Sequence, residues 1–214
     1  MVQTHRAAVC LFFSVVGVLP ACSSDSSKAS TSTDGGSGTH PTSTGSAQEP
    51  AMGAAMVKAW LANGDYKSWA CEPAVHEARS PSPHGFNRIC SNDVLSAAAK
   101  DTGSFPEGAA AVKELYASMS ATTPVGYAVY EKTKADSEDG AAWYWYEIVP
   151  TDSSVPHDKA GVVADGLGDG GPAKTICVGC HGAAGSDAAH TPSPGGRDEV
   201  YTPVSSSAAS DGGQ

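Results

Sequence analysis

Three stretches between residues 109 and 149 alternate with a period of two, and that alternation restricts the chain to folds built on a sheet. In "AAAVKELYAS" (109–118), Val112, Glu114 and Tyr116 oppose Lys113 and Leu115. In "VGYAVYEKTK" (125–134), Val125, Tyr127, Val129 and Glu131 share one side. In "AAWYWYEIV" (141–149), Trp143, Trp145 and Glu147 stand against Tyr144, Tyr146 and Ile148. Aromatic and β-branched residues suit a pleated surface, and turn-length segments between the stretches predict antiparallel strands. Two shorter segments read as helices. "AMGAAMVKAWLAN" (51–63) places Met52, Met56 and Trp60 on one face before Gly64 stops it. "SNDVLSAAAKD" (91–101) starts at a Ser91 or Asn92 cap and ends before Gly103. The expected class is α+β: a mainly antiparallel β-sheet with a few helices.

The start of the chain reads as an address. "MVQTHR" carries Arg6, and the apolar run "AAVCLFFSVVGVL" after it is short for a bilayer span but suits a signal peptide. The run ends in "LPAC", which resembles a bacterial lipobox, so residues 1–21 are expected to leave and Cys22 to be acylated. Acyl chains contribute about 0.8 kcal/mol per buried methylene, which makes a lasting membrane anchor. Ser23 after that cysteine favours the outer membrane of a bacterial cell envelope, with the domain periplasmic or surface-exposed. Residues 22–50, mostly Ser, Thr, Gly and other small polar residues, are too polar to order themselves and are expected to form a flexible linker. Residues 51–204 are the folded domain and 205–214 a frayed tail. The net charge of −10, without a basic cluster, excludes nucleic acid as a partner.

Six cysteines remain to be placed. Cys10 goes with the signal and Cys22 with the anchor. Cys71 and Cys90 flank a proline-rich segment, and in an oxidising compartment they are expected to pair as a disulfide. A metal site with His76 or His84 is the rival fate. Cys177 and Cys180 stand in "TICVGCHG", beside His181. Zinc wants four ligands, and no second C-x-x-C completes a tetrahedron. A thioredoxin-like motif opens a helix after a strand in a βαβ unit, and these surroundings do not alternate that way. Covalent haem needs only what is present: two thiols for the vinyl groups and His181 as the axial ligand of the iron. One haem c per chain is expected, and the second ring nitrogen of His181 should find an acceptor. The preceding "VVADGLGDGG", with Asp165 and Asp169, reads as a flexible turn, with calcium as the alternative.

A sheet-rich domain closed by a C-x-x-C-H resembles the cytochrome P-460 family and its relatives, the beta-type cytochromes c-prime. "FPEGAAAVKELYAS", "VGYAVYEK", "AAWYWYEI", "CVGCH" and "RDEVYTPV" carry the resemblance over about residues 85–204. It implies a homodimer with a five-coordinate iron whose open face takes hydroxylamine or nitric oxide. It also implies that Lys113 corresponds to the lysine bonded to the macrocycle edge, and Glu131 to the carboxylate over the distal face. Lys113 and Glu131 are thus the expected catalytic pair. The resemblance further implies electron delivery to a cytochrome or copper protein.

Three functions follow. The first is a haem-dependent oxidoreductase acting on hydroxylamine or a related small nitrogen compound. The second is a nitric-oxide-binding haem protein without turnover. The third is a periplasmic electron-transfer cytochrome, whose sixth ligand would come from Met119, His84, His157 or His190. Phe86, Phe105, Tyr127 and Trp143 are the aromatics expected to line the pocket.

Overall fold

In a computed structural model, residues 49–99, 104–186 and 197–205 can be described. The expected signal peptide, Cys22, all but the end of the expected linker, Gly103, His190 and the residues beyond 205 lie outside the described residues. A seven-stranded antiparallel sheet organises the fold: β1 (Ala70–Cys71), β2 (His76–Glu77), β3 (Phe86–Ser91), β4 (Ala110–Tyr116), β5 (Gly126–Lys132), β6 (Trp143–Ile148) and β7 (Val162–Leu167). Its order is β1-β3-β4-β5-β6-β7, with β2 also paired to β3. From β3 onward each strand pairs antiparallel with its neighbour in sequence. The α+β class expected from the sequence is observed, with one addition. Val162–Leu167, expected as a turn, forms the edge strand β7.

The two faces of the sheet are covered differently. On one face lies α1 (Ala54–Asn63), followed by a 3-10 turn (Asp65–Ser68). Val57, Trp60 and Leu61 of α1, with Tyr66 and Trp69, pack on Cys90, Val112, Val129, Tyr144 and Tyr146. Burying a side chain such as Val57 contributes about 1.5–3 kcal/mol. Met52 and Met56 are exposed, so the buried stripe of α1 runs through Val57 and Leu61 rather than through the methionines. Gly64 ends the helix in the left-handed conformation at φ 75°, as expected of a glycine there. Asp165 on β7 accepts hydrogen bonds from Tyr144 Oη and the Ala54 N–H, tying the start of α1 to the sheet.

The opposite face carries a second apolar cluster, in which Ile89, Ala111, Tyr130, Trp143 and Trp145 meet Leu95, Phe105, Ala173 and Val200. Leu95 belongs to α2 (Asp93–Ala98), where Asn92 serves as the cap and accepts from the Leu95 N–H. Cys71 and Cys90 face each other in the β1–β3 register and are joined by a disulfide. Closing a loop of this length stabilises the fold by about 3 kcal/mol.

Glu114 is 1% exposed and is the most heavily bonded carboxylate of the α1 face. It accepts from Tyr66 Oη at 2.6 Å, Tyr116 Oη at 2.7 Å and Arg88 Nε at 2.7 Å. Burial pushes its pKa up, but the hydrogen bonds from Arg88 and both tyrosines outweigh it and hold the carboxyl below its usual value. Glu114→Ala is expected to cost about 3–5 kcal/mol in urea unfolding, because Arg88 loses a partly buried partner. Glu114's own contribution is complete above the ordinary glutamate pKa of about 4.3 and disappears as pH falls through the lower folded value. The stability difference between wild type and Glu114→Ala should therefore shrink in acid.

Candidate functional site

After β7 the chain turns into a π-helical segment, Ala173–Val178, which continues as one α-helical turn, Gly179–His181. Such widened turns are frequent at functional sites. Two glycines let the turn lie flush on the sheet edge. A Cβ on Gly140 would come within 2.7 Å of Val178 and 2.9 Å of the Glu199 carboxylate. One on Gly168 would meet Val178 at 2.7 Å. The motif therefore packs closely against the loop before β6 and the end of β7.

His181 sits among aromatic rings: Trp145 at 4.7 Å between centroids, Tyr201 at 5.5 Å and Tyr130 at 6.0 Å. Its Nδ1 lies 2.6 Å from the Glu199 carbonyl oxygen. A carbonyl can only accept, so Nδ1 carries the proton and Nε2 keeps the lone pair. Burial and the charge of Lys113 push the imidazole pKa down to about 4, against the pull of that hydrogen bond. At neutral pH the ring is an uncharged, oriented base, the state a metal-ligating histidine needs. Tyr201 Oη donates to the Cys180 carbonyl at 3.0 Å, adding a second tie between the last described segment and the motif.

The motif forms one wall of a cavity of about 390 Å³. That volume lies in the range of about 300–1,000 Å³ typical of small-molecule and cofactor sites. Its floor is a row of cross-strand partners, Ile89, Lys113, Ala128 and Glu147, from β3 to β6. The facing wall is a strap, residues 79–84, lying between the two disulfide cysteines. Glu72 organises this strap: its carboxylate accepts from Arg79, from the Ile89 N–H and, at 2.8 Å, bonds His76 Nε2.

Three ionisable groups meet inside the cavity. Burial lowers the Lys113 pKa to about 8, although the charges of Glu147 and Glu72 pull it back up. Burial raises that of Glu147, partly offset by Lys113. His84 Nδ1 stands 3.7 Å from a Glu147 oxygen, and burial, with Lys113 and His181 nearby, holds its pKa well below 6.5. The strap thus presents a neutral imidazole. Burial, with Glu147 and Cys180, pushes the Cys177 thiol up to about 12. A thiol held protonated is a poor nucleophile for disulfide exchange. Among the described residues, no group of three or more His, Cys, Asp or Glu side chains is arranged to hold a metal ion.

Lys113, Cys177, Cys180 and His181 therefore share one cavity. Glu131 does not join them. It pairs in register with Ala110 and Tyr144 on the α1 face, where one carboxylate oxygen is buried without a partner and burial, then Glu49, raise its pKa to about 7. The carboxylate that shares the cavity with Lys113 is Glu147, legible in the alternation that puts it beside Trp143 and Trp145. Phe86, Phe105, Tyr127 and Trp143 do not line this cavity; Tyr130, Trp145 and Tyr201 do. Of the sixth-ligand candidates, His84 lines it; Met119 is exposed and His157 bonds its neighbour's carbonyl at the surface.

The residues present fit a covalently held haem. Two thiols and a neutral imidazole border an apolar cavity. Trp145, on the cavity wall, also carries a buried Nε1 with no hydrogen-bond partner among the described residues. Compared with protein-family models, curated proteins and solved structures, the chain shows no match. In the haem-free chain, Lys113 carrying a carbon-13 dimethyl label should titrate near pH 8 by NMR. Glu147→Gln should move that midpoint lower, because it removes the nearest charge favouring the ammonium.

Proposed function

We propose that the chain is a monohaem c-type protein of the cytochrome P-460 kind that oxidises hydroxylamine or a related small nitrogen compound. One observation carries this reading: Cys177, Cys180, His181, Lys113 and Glu147, from three separate parts of the sequence, border the same cavity. Cys177 and Cys180 are the thiols that would hold the haem, and His181 Nε2 is the nitrogen that would bind its iron. When bound, the haem supplies the redox-active iron that takes electrons from the nitrogen compound.

The chain's own groups supply the proton handling. Oxidation of hydroxylamine removes protons along with electrons, and Glu147 is the carboxylate placed to accept one. Its raised pKa brings it closer to the working range of a general base at neutral pH. Lys113, its pKa lowered to about 8, keeps an uncharged fraction at neutral pH, as a lysine that bonds a macrocycle edge requires. The 79–84 strap walls the cavity opposite the motif. Outside the described residues, Cys22 tethers the domain to the bacterial envelope, where an accepting cytochrome or copper protein collects the electrons. The working unit is a homodimer.

A second reading, an electron-transfer cytochrome, draws on the neutral His84 imidazole in the cavity, which is the form that can close a sixth position.

The absorption spectrum of the purified ferrous protein tests both. A Soret band far to the red of an ordinary c-type haem, returned to the ordinary position by Lys113→Ala, supports the enzyme. In that case Glu147→Gln should lower kcat for hydroxylamine by about 10²–10⁴-fold with haem content unchanged. An ordinary five-coordinate spectrum leaves nitric oxide binding, and a low-spin spectrum that becomes high-spin in His84→Ala leaves electron transfer. A purified chain without covalent haem overturns all three.

A further inference from the structure

The group that fixes His181 is itself held in an unfavourable backbone conformation. Glu199, whose carbonyl accepts the hydrogen bond from Nδ1–H, has φ 69°, and Asp198 before it has φ 50°. They are the central residues of a turn closed by the Val200 N–H on the Arg197 carbonyl at 2.8 Å. Two successive positive φ values suit Gly, Asn or Asp, so Asp198 is an ordinary occupant of the turn and Glu199 is the residue held out of place. Such strain survives only where the surroundings impose it, and it concentrates at functional sites.

What imposes it here is a buried ion pair. Lys132, at the end of β5, is 0% exposed. Its ammonium donates to Asp198 Oδ2 at 2.7 Å and to the Phe105 carbonyl at 2.7 Å, and lies 5.8 Å from the centroid of the Trp143 ring. The same Asp198 oxygen accepts from the Phe105 N–H at 2.9 Å. Val200, fully buried in the haem-motif cluster, fastens the other side of the turn. A buried ion pair is a weak source of stability, since apolar residues of similar size often do as well, so its presence calls for another reason.

We infer that Lys132 and Asp198 are positioning residues: their ion pair holds the 197–200 turn so that the Glu199 carbonyl orients His181 and strengthens it as a ligand. The inference rests on the haem reading above. A hydrogen bond accepted from Nδ1 makes the imidazole a more basic ligand, which favours the oxidised iron and strengthens the iron–nitrogen bond. Neither side chain touches the cavity.

The test compares wild type, Asp198→Asn and the double variant Lys132→Met with Asp198→Asn. Asp198→Asn keeps an acceptor for Phe105 and removes the charge; the double variant removes both charges at similar volume. The readouts are the iron–histidine stretch of the ferrous protein by resonance Raman and the haem midpoint potential, with thermal unfolding and covalent haem content as controls. A stepwise fall in the stretching frequency and rise in potential, with haem content retained, is expected. Wild-type frequency and potential in both variants overturn the inference. If the double variant does not fold, Asp198→Asn decides, and an unchanged stretch there overturns it. If the wild-type chain carries no haem, the haem reading has failed on its own. The pin is then read from the His181 Nδ1 proton by nitrogen-15 NMR, where slow exchange in wild type and fast exchange in the variants supports it, and equal exchange overturns it.

Discussion

Cross-strand register is the constraint on which the rest depends. Because opposed residues of an antiparallel pair point to the same side, the partners Ile89, Lys113, Ala128 and Glu147 bring an amine and a carboxylate to one face. A slip of one residue between β4 and β5 would send one of them to the other side of the sheet. The α1 cluster defends this register, since the same slip would expose Val112 or Val129. The aromatic packing on one face thus protects the chemistry on the other.

The two faces carry different kinds of polar group. On the α1 face, Glu114 is saturated by three donors and acts as a structural knot. On the motif face, Lys113, Glu147 and His84 are more loosely engaged, with Lys113 3.5 Å from Ser82 and His84 3.7 Å from Glu147. Groups so loosely engaged retain capacity for an incoming molecule, whereas saturated groups do not. The disulfide and Glu72 keep the strap near them, so the cavity's outer wall is fixed by covalent and ionic ties rather than by a large apolar core.

Much of this fold could be read in the sequence where period and residue type agree. β4, β5 and β6 alternate over their whole length, and their faces came out as the alternation predicts. β7 was missed because Asp165, Gly166 and Gly168 carry turn signals; only its pairing with β6 makes the segment a strand. In α1, of the face expected from Met52, Met56 and Trp60 only Trp60 is buried; Val57 and Leu61 join it in the core, and both methionines face solvent. At the site, the motif was legible from its residues and Lys113 only through the family resemblance, while Glu131 and Glu147 are both glutamates on alternating strands, and parity alone distinguishes them. Lys132 gave no signal at all: a lysine beside a glutamate near a strand end reads as solvated until a distant turn at 198 closes over it.

Ala128 sits between the two reactive side chains of the row, two strand spacings or about 9–10 Å across. A methyl group there leaves headroom, so the depth of the chamber is set by the smallest residue in it. Valine or leucine at this one position would raise the floor and bring an adventitious wedge between amine and acid, without disturbing a single hydrogen bond of the ladder. Control over what size of molecule fits beside Lys113 and Glu147 is therefore concentrated in a side chain that has no chemistry of its own.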